Sequence, residues 1–252
     1  MTDPENLFAG KASIYSRYRP GYPREIIQIL EEETGFNNDW KVADIGSGTG
    51  ILSGLFIENG NTVYCVEPNY EMQSEALRRY DNLGNHIPVT GTAEHTNLRE
   101  QSIDLIVAGQ SFHWFNTDLA KEEFGRIIRP GGFAALIWNN RSEDEGTFSR
   151  EYDKICVKYS RNYHGTGSTA ITEETFQNFF THGYRRYNIQ NYRQIDQDGV
   201  VGRYLSAIYA LKPEDSDYGI AMKSLMDLFR RFQKDGKVTM EYTTEIVIGK
   251  FP

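Results

Sequence analysis

Three glycines alternate with small hydroxyl residues in Gly46-Ser47-Gly48-Thr49-Gly50, directly after the apolar run KVADI at residues 41–45. Glycine lacks a Cβ, so Gly46, Gly48 and Gly50 can take positive φ and admit a ligand where a side chain would exclude it. A helix expected from about Leu52 would turn free N–H groups toward the same place. A dinucleotide loop asks for Gly-x-Gly-x-x-Gly, but Ile51 stands where its third glycine would be. No phosphate-gripping lysine follows. Asp44 ahead of the first glycine would set negative charge against a pyrophosphate, and it suits a cationic ligand.

S-adenosylmethionine has that character, with a sulfonium, an α-ammonium and no phosphate. The motif Asp44-x-Gly46-x-Gly48-x-Gly50 closing a first strand resembles the signature loop of class I S-adenosylmethionine-dependent methyltransferases. The next apolar run, TVYCV at residues 62–66, ends in Glu67-Pro68-Asn69, which puts a carboxylate at a strand end where ribose hydroxyls are gripped. Further on, Gly91-Thr92-Ala93-Glu94 follows a short third strand. The resemblance implies that Ala93 and Glu94 lie against the adenine, with a plain surface acid as the other reading of Glu94.

The fourth apolar run, residues 103–108 (IDLIVA), opens into Gly109-Gln110-Ser111-Phe112-His113-Trp114-Phe115. In an open parallel sheet that turn faces the ligand crevice, so Gln110 joins the expected cofactor set and His113 becomes the candidate catalytic residue. The FHWF segment resembles one methyltransferase subfamily, the type 11 group that includes trans-aconitate methyltransferase-like and stress-induced small-molecule enzymes. The segment Tyr15-Ser16-Arg17-Tyr18-Arg19-Pro20-Gly21-Tyr22-Pro23 resembles the Y-x-x-x-R-P-x-Y-P stretch before that group's first helix. Three readings of His113 stand open: general base, ligand positioning and structure. Trp114 and Phe115 read as wall. Tyr18 and Arg19 read as a lid with the guanidinium near the methionyl carboxylate, or as a fastening for the amino-terminal arm.

These residues need a sheet to hold them. Strands and helices alternate to about residue 140: helices over residues 25–34, 52–59, 70–80 and 117–128, the last capped by Thr117-Asp118 with Leu119, Phe124, Ile127 and Ile128 on one buried face. Arg129-Pro130-Gly131-Gly132 reads as the turn before a strand over residues 133–138. The alternation predicts an α/β, Rossmann-like, doubly wound sheet. The family resemblance makes it seven-stranded, with the last strand antiparallel. Helical cap insertions are expected over 142–182 and 196–235, with closing strands at 186–192 and 242–248. The aromatics Tyr152, Tyr159, Tyr163 and Phe176 of the first insertion could line an acceptor pocket or form the cap's own core. A single methyltransferase domain would then run over 1–252, with 1–24 as lid segment and 25–140 as cofactor-binding core.

At 252 residues the chain can bury a sizeable core. Its 27 Lys and Arg against 35 Asp and Glu give a net charge of −8, which argues against a nucleic-acid footprint. No apolar run approaches a membrane span, and the start MTDPENLFAG lacks a secretory pattern, so the expected location is cytoplasmic. Cys65 and Cys156 read as reduced structural thiols, and no Cys/His cluster has metal spacing. The expectation is methyl transfer from S-adenosyl-L-methionine to the oxygen, nitrogen or carbon of a small molecule. Its rivals are a non-catalytic S-adenosylmethionine-binding module, an NAD-type oxidoreductase and, less favoured by the charge, a macromolecular substrate such as RNA.

Overall fold

Strands that are apolar on both faces must be covered on both faces, and the first strand, β1 (Lys41–Ile45), is buried along nearly its whole length. The computed structural model describes residues 10–160 and 171–251. The chain enters through two helices, α1 (Ala12–Tyr18) and α2 (Glu25–Thr34). After β1 it alternates: α3 (Ser53–Glu58), β2 (Thr62–Val66), α4 (Tyr70–Tyr80), β3 (His86–Val89), β4 (Ile103–Gly109), α5 (Thr117–Ile127), β5 (Ile128–Arg141). It closes with α6 (Phe148–Lys158), α7 (Glu173–Phe179), β6 (Tyr184–Ile195), α8 (Gln197–Leu205), α9 (Tyr218–Phe232) and β7 (Val238–Lys250).

The seven strands order as β3-β2-β1-β4-β5-β7-β6. β7 alone is reversed, pairing antiparallel with both β5 and β6, as the expectation of a seven-stranded sheet with its last strand antiparallel required. From β1 the chain builds outward to β2 and β3 on one side, then returns to β4 and β5 on the other. Between the carboxyl ends of β1 and β4 the crossovers part, which opens a crevice at the switch point.

Alternate side chains of each strand feed two cores: Ala43, Ile45, Ile106 and Leu136 on one face, Val42, Val63, Leu105 and Ile137 on the other. A third cluster joins α6, α8, α9 and one end of β7 through Tyr152, Tyr204, Leu225, Met240 and Tyr242. This third core explains why β6 and β7 run past the expected 186–192 and 242–248. The added residues 193–195 and 238–240 pair with each other past the end of β5 and carry the cap. Tyr152 and Phe176 are buried in core clusters, Tyr159 packs at the edge of the cap cluster, and Tyr163 lies outside the described residues.

Two local expectations are corrected. Asn116, not Thr117-Asp118, caps α5, because its side chain accepts from the Leu119 N–H. The buried face is then Ala120, Glu123, Phe124 and Ile127, and Leu119 points outward. Arg129-Pro130-Gly131-Gly132 is not a free turn but an irregular stretch within β5, where pairing jumps from Ile103 opposite Ile128 to Leu105 opposite Phe133.

Candidate active site

The carboxyl ends of β1, β2 and β4 border a cleft of about 310 Å³, within the range of small-molecule sites. Of the residues singled out in the sequence, Arg19, Asp44, Gly46, Ser47, Gly48, Glu67, Pro68, Ala93, Glu94 and Gln110 line it. Tyr18, Gly50 and His113 do not. Sequence reasoning passed over Tyr15, Tyr22, Ser111, Asn139 and Arg203, which complete the wall. Asn139 was findable as a polar residue near the end of the fifth strand. Arg203 carried no signal, since it comes from a cap helix far along the chain.

The loop after β1 is anchored by Gly46 and Ser47, whose N–H groups donate to the Val66 carbonyl at 2.9 and 3.1 Å. Gly46 has φ +68°, and a Cβ there would lie 2.7 Å from the Ser111 Cβ. Gly48 has φ +55°, and a Cβ there would meet nothing within 4 Å. That space is open for a ligand to approach the backbone closely. Gly50 serves packing, as its carbonyl accepts from the Tyr80 hydroxyl at 3.0 Å.

Two carboxylates face this end of the cleft. Asp44 is 1% exposed; its Oδ2 accepts from the Ser53 hydroxyl at 2.6 Å, while Oδ1 has no partner. Burial pushes the Asp44 carboxyl up to about 7, the Ser53 hydrogen bond opposes that rise, and the charge of Glu67 adds to it. Glu67 accepts from the Gly48 N–H at 2.9 Å with one oxygen and from the Asn69 N–H at 2.9 Å with the other. It therefore braces the glycine loop while it lines the cleft. Glu94 also has a second task, accepting from the Asn116 N–H at 2.8 Å and so tying its turn to the cap of α5. Gln110 holds φ +57°, a costly backbone for a residue with a side chain, and its amide donates to the Asn139 carbonyl at 3.1 Å.

The amino-terminal arm closes the other end. Lys11 donates to the Ala207 carbonyl at 2.5 Å and Arg19 to the Ser206 carbonyl at 3.2 Å, so two cations meet the carbonyl-rich end of α8. The Gly21 carbonyl accepts from Asn139 at 3.3 Å and Asn191 at 3.1 Å, which pins the arm to the sheet. Tyr18 packs its ring on the backbone of Gly202, and Tyr15 takes the wall position under Arg19, whose guanidinium lies 4.7 Å from the Tyr15 ring centre. Burial, then the nearby Arg203, lowers the Arg19 pKa.

Arg203 is 7% exposed, and its Nε and Nη1 have no hydrogen-bond partner. Its guanidinium lies 5.8 Å from the Tyr242 ring centre. Such a cation–π contact is worth about 2 kcal/mol when desolvated, against several for taking a guanidinium out of water.

His113 sits in a 3₁₀ turn, Phe112–Trp114, beside the Trp114 ring at 4.8 Å between centres. Its Nδ1 is buried without a partner, and burial lowers its pKa to about 4. The imidazole is neutral at pH 7 and is not among the residues that line the cleft, whereas Trp114 and Phe115 are. Cys65 and Cys156 are buried free thiols. Among the described residues no group of side chains could hold a metal ion, and no helix is long and apolar enough to cross a membrane.

Residues 43–136 match the family model described as a methyltransferase domain. Over that stretch, which carries the glycine loop and the ends of β2 and β4, the chain is similar to methyltransferase domains. It is 36% identical over 148 residues to an uncharacterised methyltransferase of Mycobacterium tuberculosis, covering 59% of this chain and 58% of that protein. An uncharacterised methyltransferase of Schizosaccharomyces pombe is 32% identical over 128 residues, half of each chain. The match thus spans between half and three-fifths of these relatives' length. A proposed type II methyltransferase from Anaeromyxobacter dehalogenans has the same fold, with a TM-score of 0.65 at 18% identity over 93% of this chain and 99% of that one.

The residues present fit S-adenosylmethionine. An orphaned carboxylate oxygen on Asp44, a second acid in Glu67 and the open space over Gly48 suit a ligand that is cationic at one end and rich in hydroxyls.

Proposed function

We propose that the chain binds S-adenosyl-L-methionine in this cleft and transfers its methyl group to a small-molecule acceptor. The observation that carries the reading is the buried Asp44 with a free oxygen beside a glycine loop that leaves room for a ligand. When bound, the cofactor supplies an electrophilic methyl group on a sulfonium. Asp44 faces its cationic end, Glu67 accepts from the ribose hydroxyls, and Ala93 with Glu94 and Pro68 border the adenine. Gln110 and Ser47 complete the polar wall. Arg19 holds the methionyl carboxylate with N–H groups left over from its bond to Ser206, and Tyr18 keeps the arm seated on α8.

The residues contribute placement more than proton transfer. Alignment of two reactants in a closed site supplies much of the acceleration for an already activated methyl donor. A histidine whose pKa burial lowers to about 4, and which is not among the residues lining the cleft, is a poor proton acceptor at pH 7, so we assign His113 the task of holding Trp114. A net charge of −8 supports a small acceptor over nucleic acid.

Titration calorimetry with S-adenosylmethionine, S-adenosylhomocysteine and NAD tests the cofactor. Micromolar binding of the first two and none of NAD is expected; binding of NAD alone would replace this reading with the oxidoreductase one. Release of S-adenosylhomocysteine on adding an acceptor separates an enzyme from a binding module. Arg19→Ala should raise the cofactor dissociation constant severalfold, and an unchanged constant would leave Arg19 only its fastening role.

A further inference from the structure

Tyr22 brings a phenol to the boundary between the two halves of the cleft. Its ring packs against the core cluster that holds Val42, Leu52 and Leu105, and the residue lines the cleft. A Cβ on Gly109, the last residue of β4, would lie 2.7 Å from the hydroxyl oxygen, so glycine there leaves the phenol its place at the switch point. The backbone on either side is held, because the Gly21 carbonyl accepts from Asn139 and Asn191 and the ring of Pro23 fixes its own φ. Charges of both halves act on the hydroxyl: Asp44 from the glycine-loop half, Arg19 and Arg203 from the arm and cap. The neighbouring polar groups are committed elsewhere. Ser111 donates to the Ile45 carbonyl at 2.8 Å, Gln110 to the Asn139 carbonyl at 3.1 Å, and Asn139 to the Gly21 carbonyl at 3.3 Å. Among the described residues nothing hydrogen-bonds the Tyr22 hydroxyl.

Resting on the cofactor reading above, we propose that the Tyr22 hydroxyl oxygen contacts the sulfonium methyl of the bound cofactor and aims it at the acceptor. The donor occupies the glycine-loop half and the acceptor reaches it from the arm and cap, so the methyl group crosses the boundary where this hydroxyl stands. Hydrogens of a methyl group on a positive sulfur are electron-poor, and a phenol oxygen attracts them without taking a proton. Burial, with Tyr15 and Asp44 adding to it, raises the Tyr22 pKa well above the ordinary tyrosine value. Tyr22 therefore keeps its proton and meets the cation as a neutral dipole, not as a general base. An oxygen fixed by the core on one side and the Gly21 clamp on the other narrows the orientations open to the methyl group, which is a contribution of placement.

The test compares S-adenosylmethionine with S-adenosylhomocysteine, which lacks only the methyl group and its charge, by calorimetry on the full chain at pH 8. Tyr22→Phe and Tyr22→Met both remove the hydroxyl. Each variant is expected to bind S-adenosylhomocysteine within about twofold of wild type and S-adenosylmethionine about two- to fivefold more weakly, the scale of a weak C–H···O contact. Retained S-adenosylhomocysteine binding is itself the control for an intact fold. With carbon-13 in the cofactor methyl group, its bound proton resonance should move upfield in Tyr22→Phe, which keeps the aromatic ring and loses only the oxygen. A hydroxyl that serves the amino-acid end of the cofactor, or the fold alone, weakens both ligands equally and leaves their ratio at the wild-type value. That result overturns the proposal, as do variants in which neither constant changes. A wild type that binds both ligands while the variants keep its ratio sinks this assignment alone; a wild type that binds neither removes the cofactor reading and this assignment with it.

Discussion

Glu67→Ala should weaken binding of S-adenosylmethionine and S-adenosylhomocysteine by about 1.5–3 kcal/mol, roughly 10- to 150-fold in Kd. Two losses combine in that figure. The first is the pair of acceptors offered to the ribose. The second is the brace, since the same carboxylate accepts the Gly48 and Asn69 N–H groups at 2.9 Å each. A double-mutant cycle separates them: wild type and variant are each titrated with S-adenosylhomocysteine and with its 2′,3′-dideoxy analogue. A ribose role predicts that the variant no longer distinguishes the two ligands. If the variant binds S-adenosylhomocysteine as wild type does, Glu67 has no part in the site. If it loses affinity but still prefers the hydroxylated ligand to the wild-type degree, the brace is the whole effect.

Most of what could be read from the chain was local. Helix α4 was legible to the residue because Asn69 caps it, accepting from the Met72 N–H at 3.0 Å, and the polar turn after Tyr80 ends it. The glycine loop was legible because backbone shape demands the residue type. What stayed hidden depends on partners distant in sequence. Leu119 fits a buried helical face by spacing, yet α7 and the sheet cover Phe124 and Ile127 and leave Leu119 in solvent. Tyr15 and Tyr18 are both aromatic residues of the same short helix, and only the docking of α1 on α8 turns one into the cleft and the other onto Gly202. Arg203 is the extreme case. Nothing beside it in sequence marks it, and only the packing of α8 brings it to the cleft wall. His113 shows the reverse, a residue whose type and position in a ligand-facing turn suggested chemistry and which is not among the residues that line the cleft.

Cofactor affinity should fall as pH drops below about 7, and Asp44 is the reason. Its carboxyl is raised from an ordinary 3.8 to about 7 chiefly by burial, so near neutrality the unliganded protein is close to half protonated there. A cationic ligand favours the ionised form and must displace the proton below that point. Kd should therefore approach a tenfold rise per pH unit well below pH 7, roughly 50-fold in all from pH 7 to pH 5, and stay nearly flat above pH 8. Folding carries the opposite signature. A carboxyl that binds its proton more tightly folded than unfolded makes the native state most stable, relative to this group, below pH 4. That contribution is lost as pH rises toward 7, by up to about 1.4 kcal/mol per unit. Asp44→Asn removes both dependences. The variant should melt at a higher temperature than wild type at pH 8 and nearly the same at pH 4, while its cofactor binding at pH 8 drops about 100-fold and loses its slope. Calorimetry over pH 5–8 with paired melting curves measures the two effects on the same samples. A variant that keeps the wild-type slope would show that a different group titrates. A variant destabilised at pH 8 would show that the Asp44 charge supports the fold, which is incompatible with a carboxylate held in strain for a cationic ligand.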